Sequence, residues 1–129
     1  AFKLEKLVKI IPFKKNPYEY VSKARITILT SHYEGFPMSV IESLAIGTPV
    51  VAVDCKSGPN EIIKSGFNGL LVENYNVKAL AEALKRMIYD KGLYQFCKEN
   101  SLKSVAHLSL ESVGEQWRNL ILSNQKNDE

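Results

Sequence analysis

Two glutamates with seven residues between them, Glu34 and Glu42, flank the segment Gly35-Phe36-Pro37-Met38-Ser39. Pro37 suits the opening of a helix, where a missing N–H costs nothing, and Gly35 lets a ligand or another backbone come close. The amides of Met38, Ser39 and Val40 are then expected to lie unpaired at the positive end of the helix dipole. Backbone donors so arranged hold anions. On a wheel of about 100° per residue the neighbours of Glu42 are Met38, Ala45 and Ile46, with Ser39 the polar exception. No basic residue lies within one turn, so the carboxylate is expected to be buried and in need of donors. A ligand's hydroxyl pair would supply them. From Met38 to Glu42 the helix advances roughly 6 Å, the span from a phosphate to the hydroxyls of its ribose. Glu34, ahead of the helix, would flank the other side of the phosphates. The plainer alternative is a Glu34 that caps the helix and a Glu42 solvated at a domain edge.

The elements that must position these residues alternate between strand and helix. An apolar, β-branched run over 6–11, ended by Pro12, predicts a strand. After the turn signal Asn16-Pro17 the pattern predicts a short helix over 18–24 and a buried strand over 26–29. From Gly35 to Val53 nineteen residues carry one charge, Glu42. They predict a helix over 37–46, a stop at Gly47, a turn at Thr48-Pro49 and a strand over 50–53. Pro59 suits a first helical position and Glu61 a first turn, where either the helix dipole or a donor contact accounts for it. Gly66 and Gly69 bracket a turn before a strand over 70–72. The stripe Val77, Leu80, Ala81, Leu84, Ile88 marks a helix that Lys91-Gly92 should break. A helix over 93–105 follows, then a last one with Ser109 as N-cap and Val113, Trp117, Leu120 and Ile121 on one face, Trp117 being expected as a packing anchor. Continuous apolar strands alternating with helices predict an α/β fold, a parallel sheet with helices on both faces. The polar stretch from Asn124 onward reads as a tail.

Composition narrows the chemistry further. The 129 residues are 45% hydrophobic and 24% charged, ordinary for one globular domain. Seventeen basic residues against fourteen acidic ones give +3, but they are dispersed and form no basic groove with exposed aromatics, which argues against nucleic acid. Cys55 and Cys97 have neither C-x-x-C spacing nor a nearby histidine, so neither a zinc site nor a disulfide framework is expected, and a reducing, cytosolic setting is the default. No signal peptide or membrane-spanning run is read in the chain. His32 lacks the companions of a nucleophile arrangement, and Lys56 reads as a solvated charge or, at the end of a strand, as a partner for an anion.

Glu34-Gly35-Phe36-Pro37 through Glu42, followed by Gly47-Thr48-Pro49-Val50-Val51 and Ser57-Gly58-Pro59-Asn60-Glu61-Ile62, resembles the C-terminal, donor-binding domain of the retaining, GT-B-fold glycosyltransferases (group 1, or family 4) with the E-x7-E motif. Asn16-Pro17-Tyr18 resembles the branch that builds bacterial capsule, O-antigen and related cell-surface polysaccharides, and the helix with Trp117 resembles one that crosses back toward the partner domain. The resemblance implies a Rossmann-like sheet over 1–123, cut on its N-terminal side, with 124–129 as tail. It implies transfer of a hexosyl or N-acetylhexosaminyl group from a nucleotide-diphosphate sugar, a UDP-sugar above all, with no metal and no further cofactor. Glu34 would contact the transferred sugar near the reacting carbon, Glu42 the ribose, and the backbone from Gly35 through Phe36, Pro37 and Met38 to Ser39 the sugar and diphosphate. A basic pair and an acceptor domain would come from an N-terminal part, in cis or as a separate chain, with peripheral contact at the inner face of the cytoplasmic membrane. The alternative is a non-catalytic nucleotide-sugar-binding or assembly fragment.

Overall fold

The computed structural model describes residues 3–125. Val50, Val51, Ala52 and Val53 make up most of β2 (Val50–Asp54), and all four are buried. A strand reaches that state only when both faces of its sheet are covered. β1 (Thr27–Leu29) and β3 (Gly69–Glu73) lie on either side of it, both parallel, in the order β1-β2-β3. Leu29 stands opposite Ala52, and Ala52 opposite Leu71.

Side chains alternate across β2, and two cores result. Val50 and Ala52 pack with Val40, Ile41 and Leu44 of α2 (Met38–Ala45) and with Ile62 of α3 (Pro59–Ile62). Val51 packs on the opposite face with Leu70, with Ala83 and Met87 of α4 (Val77–Tyr89), and with Cys97 of α5 (Lys91–Val105). The expected α/β architecture, a parallel sheet between two helical layers, is the one the chain forms.

Short polar links fix α2 against the sheet. Gly47, at φ +87°, turns the chain at the end of α2. Ser43 Oγ donates to Thr48 O at 2.9 Å and lies 2.8 Å from Thr27 Oγ1. Thr48 Oγ1 donates to Val21 O at 2.9 Å and so pins α1 (Tyr18–Lys23). Arg25, one of the dispersed charges of the sequence, donates to Ile88 O at 3.1 Å near the end of α4 and lies 4.0 Å over the Tyr94 ring.

Three expectations need correction. The strand over 6–11 does not form: Leu7 is 83% and Ile10 92% exposed, and the chain turns at Leu4 instead. β propensity expresses itself only against a partner strand, and none of the described residues offers this run a ladder. Lys91-Gly92 does not break the helix either. The break is at Asp90, whose carboxylate accepts from Leu93 N–H at 2.9 Å and opens α5 with Lys91 and Gly92 in its first turn. Finally, α6 (Leu110–Gln125) starts behind Ser109 as expected, with Ser112 N–H donating to Ser109 Oγ at 3.2 Å, yet Trp117 is 61% exposed and anchors no core among the described residues. The amphipathic stripe specifies a face without specifying its cover. The proposed tail begins inside this helix at Asn124, and residues 126–129 lie outside the described ones. No described helix is long and apolar enough to cross a membrane.

Candidate functional site

The segment from Thr30 to Pro37 leaves the C-terminal end of β1, and the segment from Cys55 to Gly58 leaves that of β2. They are joined twice. Tyr33 pairs with Lys56 in an isolated parallel bridge, and Gly58 packs against the buried Pro37 ring. At φ +106° Gly58 adopts a backbone that L-residues avoid, and a Cβ there would meet Pro37 Cδ at 2.5 Å. The site therefore rests on two loops locked together at the C-terminal edge of a parallel sheet, where such sheets bind ligands.

The amides differ from expectation in detail. Pro37 caps α2 with φ −77° and ψ 79°, outside the helical region, and helix starts at Met38. Met38 N–H consequently donates to Phe36 O at 2.8 Å, and Val40 N–H to Pro37 O at 3.0 Å. Of the three amides expected to be free, Ser39's alone donates to no backbone carbonyl. Those of Gly35 and Phe36 are also free of backbone partners among the described residues, so the open donors lie along the loop as well as on the first turn. Gly35, Phe36, Met38 and Ser39 are all exposed.

Glu34 and Glu42 are both half-buried, which corrects the expectation of an enclosed Glu42 with no donor of its own. The helical wheel showed only neighbours within α2. Met38 and Ala45 prove to be surface residues, and the covering group comes from α1: Tyr18 Oη donates to Glu42 Oε1 at 3.3 Å. The Glu42 charge and this bond push the Tyr18 phenol above its ordinary value. Tyr18 stands twenty-four residues from Glu42 in sequence, and Asn16-Pro17-Tyr18 carries only a turn signal and a resemblance, so no local pattern points to this contact. Glu61 lies apart. It is exposed and lines a cavity of about 430 Å³ with Lys64, Phe67, Lys103, Ser104 and His107, none of them in the Glu34 to Glu42 segment. His32 stacks on Tyr75 with ring centroids 5.3 Å apart, beside a cavity of about 300 Å³ lined also by Thr30, Val53 and Leu80.

Cys55 and Cys97 are free, buried thiols. Burial first, then the Glu34 charge, pushes Cys55 above its ordinary value of 9.0, and burial pushes Cys97 the same way. Ellman's reagent at about pH 8 is expected to spare both thiols in the folded chain and to modify both once it is unfolded. A folded-state pKa above the unfolded one contributes stability that is whole below the unfolded value and lost as pH rises through the folded one. Stability should thus fall above about pH 9, and by less in Cys55→Ala measured by urea unfolding.

The family profile described as "Glycosyl transferases group 1" matches residues 1–104 of this chain. The chain belongs to that family. The poly(glycerol-phosphate) alpha-glucosyltransferase of Bacillus subtilis is 34% identical to it over 115 residues, which are 89% of this chain and 17% of that protein. The poly(ribitol-phosphate) alpha-N-acetylglucosaminyltransferase of Staphylococcus aureus is 31% identical over 121 residues, 93% of this chain and 24% of its own. Among solved structures, a Staphylococcus aureus TarM mutant in complex with Fondaparinux, alpha-GlcNAc-glycerol and UDP superposes with a TM-score of 0.82 at 30% identity, covering 91% of this chain and 24% of that one. This group 1 glycosyltransferase chain thus spans about a quarter or less of these relatives, and its sheet corresponds to part of a GT-B Rossmann-like domain.

Proposed function

We propose that residues 1–123 form the donor-binding part of a retaining, metal-independent glycosyltransferase that moves a hexosyl or N-acetylhexosaminyl group from a UDP-sugar onto a cell-surface polysaccharide or glycan. The observation that carries this reading is the set of free amides at Gly35, Phe36 and Ser39, held between Glu34 and Glu42 at the C-terminal edge of the sheet. A diphosphate against those amides has Glu42 on its ribose side and Glu34 on its sugar side. In the transfer, the bond from the anomeric carbon to the diphosphate oxygen breaks and its electron pair goes to the diphosphate. The acceptor oxygen bonds to the same carbon and gives up its proton to the departing diphosphate oxygen. Because negative charge grows on the departing phosphate, amide donors hold the transition state more strongly than the bound sugar diphosphate. Glu34 is the catalytic residue in this scheme, aligning sugar hydroxyls beside the reacting carbon. Gly35 to Ser39 and Glu42 bind the donor.

The poly(glycerol-phosphate) alpha-glucosyltransferase and poly(ribitol-phosphate) alpha-N-acetylglucosaminyltransferase relatives and the UDP in the TarM complex support this reading. The acceptor site and the cations facing the diphosphate would come from a further domain, in cis or as a separate chain, working in the cytoplasm against the inner face of the membrane. Calorimetry with UDP tests the proposal on the chain itself. Glu42→Ala should weaken binding by about tenfold to a hundredfold, the weight of one or two hydrogen bonds to a charged group. Equal affinity for the two proteins, or no binding by the unsubstituted chain, overturns it.

A second reading, a nucleotide-binding or assembly module that needs a partner half for turnover, is favoured by the exposed apolar side chains of α6. Sugar release by the chain alone would eliminate it.

A further inference from the structure

We propose that Tyr18 is a positioning residue that aims Glu42 at the donor's ribose diol; the inference rests on the donor reading above. α1 buries none of its residues, so core packing does not account for its placement. Polar contacts do. Tyr18 N–H donates to Asn16 Oδ1 at 3.1 Å, which sets the turn before the helix. The buried Thr48 side chain holds Val21 O at 2.9 Å, which sets the helix against the end of α2. Tyr18 Oη, at 3.3 Å from Glu42 Oε1, is the remaining link. A glutamate side chain has three torsions to order on binding, and a phenol that holds one oxygen meets part of that cost beforehand. Oε2 is left without a protein donor among the described residues and can accept from a vicinal diol. At 3.3 Å the bond is long for O–H···O, as site hydrogen bonds often are before the ligand arrives. The charge of Glu42 keeps the phenol protonated, so it remains a donor throughout the neutral range.

Calorimetry with UDP and with 2′,3′-dideoxy-UDP separates this inference from the reading it rests on. The ratio of the two affinities isolates the diol, whereas the diphosphate amides act equally on both nucleotides. The unsubstituted chain should prefer UDP by about tenfold or more, and Glu42→Ala should bring the ratio to about one. Tyr18→Phe should lower the ratio about threefold to tenfold while leaving the dideoxy affinity unchanged. Should Glu42→Ala abolish the preference and Tyr18→Phe keep it, the positioning role falls and the donor reading stands. Equal weakening of both nucleotides by Tyr18→Phe overturns the inference too, since that marks a structural role only. A ratio near one in the unsubstituted chain, or one untouched by Glu42→Ala, removes the donor reading itself.

Discussion

Gly69→Ala should lower the melting temperature of the chain by about 10 °C or more, an overpacking cost of roughly 3 kcal/mol or above in a domain of this size. Gly69 opens β3 directly opposite Val50, and a Cβ added there would stand 2.1 Å from Val50 O, 3.1 Å from its carbonyl carbon and 3.2 Å from its nitrogen. All three are backbone atoms of a residue with no exposed surface, in the strand that both cores share. No side chain can swing aside to make room, so the ladder between β2 and β3 must open. Circular dichroism through a thermal ramp checks this, and a midpoint within about 2 °C of the parent would contradict it.

Gly58→Ala should cost about 2–4 kcal/mol and reduce UDP affinity as well. Two penalties combine at this position. The φ of +106° strains any L-residue, and the new Cβ would press on Pro37 at Cδ, 2.5 Å away, and at Cγ, 3.3 Å away. Pro37 is buried behind the loop and caps α2, so it has little room to retreat except by carrying the Gly35 to Ser39 segment with it. Displacing those amides should raise the UDP dissociation constant about tenfold or more at a temperature where the variant is still folded. Urea unfolding measures the first effect and calorimetry the second. A variant that loses stability yet binds UDP like the parent would show that Pro37 and the amides move independently.

The fold was legible where one local signal sufficed. The unbroken apolar run of β2 announced a strand covered on both faces, and Pro37 and Gly47 bracketed α2 to within a residue. The strand expected over 6–11 failed because a β-branched run states a preference without naming a partner. The break assigned to Lys91-Gly92 failed because the capping carboxylate of Asp90 decides where α5 starts, and glycine in a first turn is tolerated. At the site, the Glu34 to Glu42 segment could be found because its parts are consecutive in sequence. Tyr18 over Glu42 and Gly58 under Pro37 could not, since each pairs residues more than twenty positions apart and no periodicity links them. The degree to which Glu42 is enclosed depends on α1 for the same reason.

The double fastening of the two loops, by the Tyr33 and Lys56 bridge and by the seat of Pro37 on Gly58, bears on how a ligand is met. A cradle whose walls share one foundation cannot fold over its guest one wall at a time. It is ready-made, little ordering entropy is spent on arrival, and encounter should proceed without a slow rearrangement step. Any closing motion that excludes water during the reaction would then fall to parts of the protein outside these two loops.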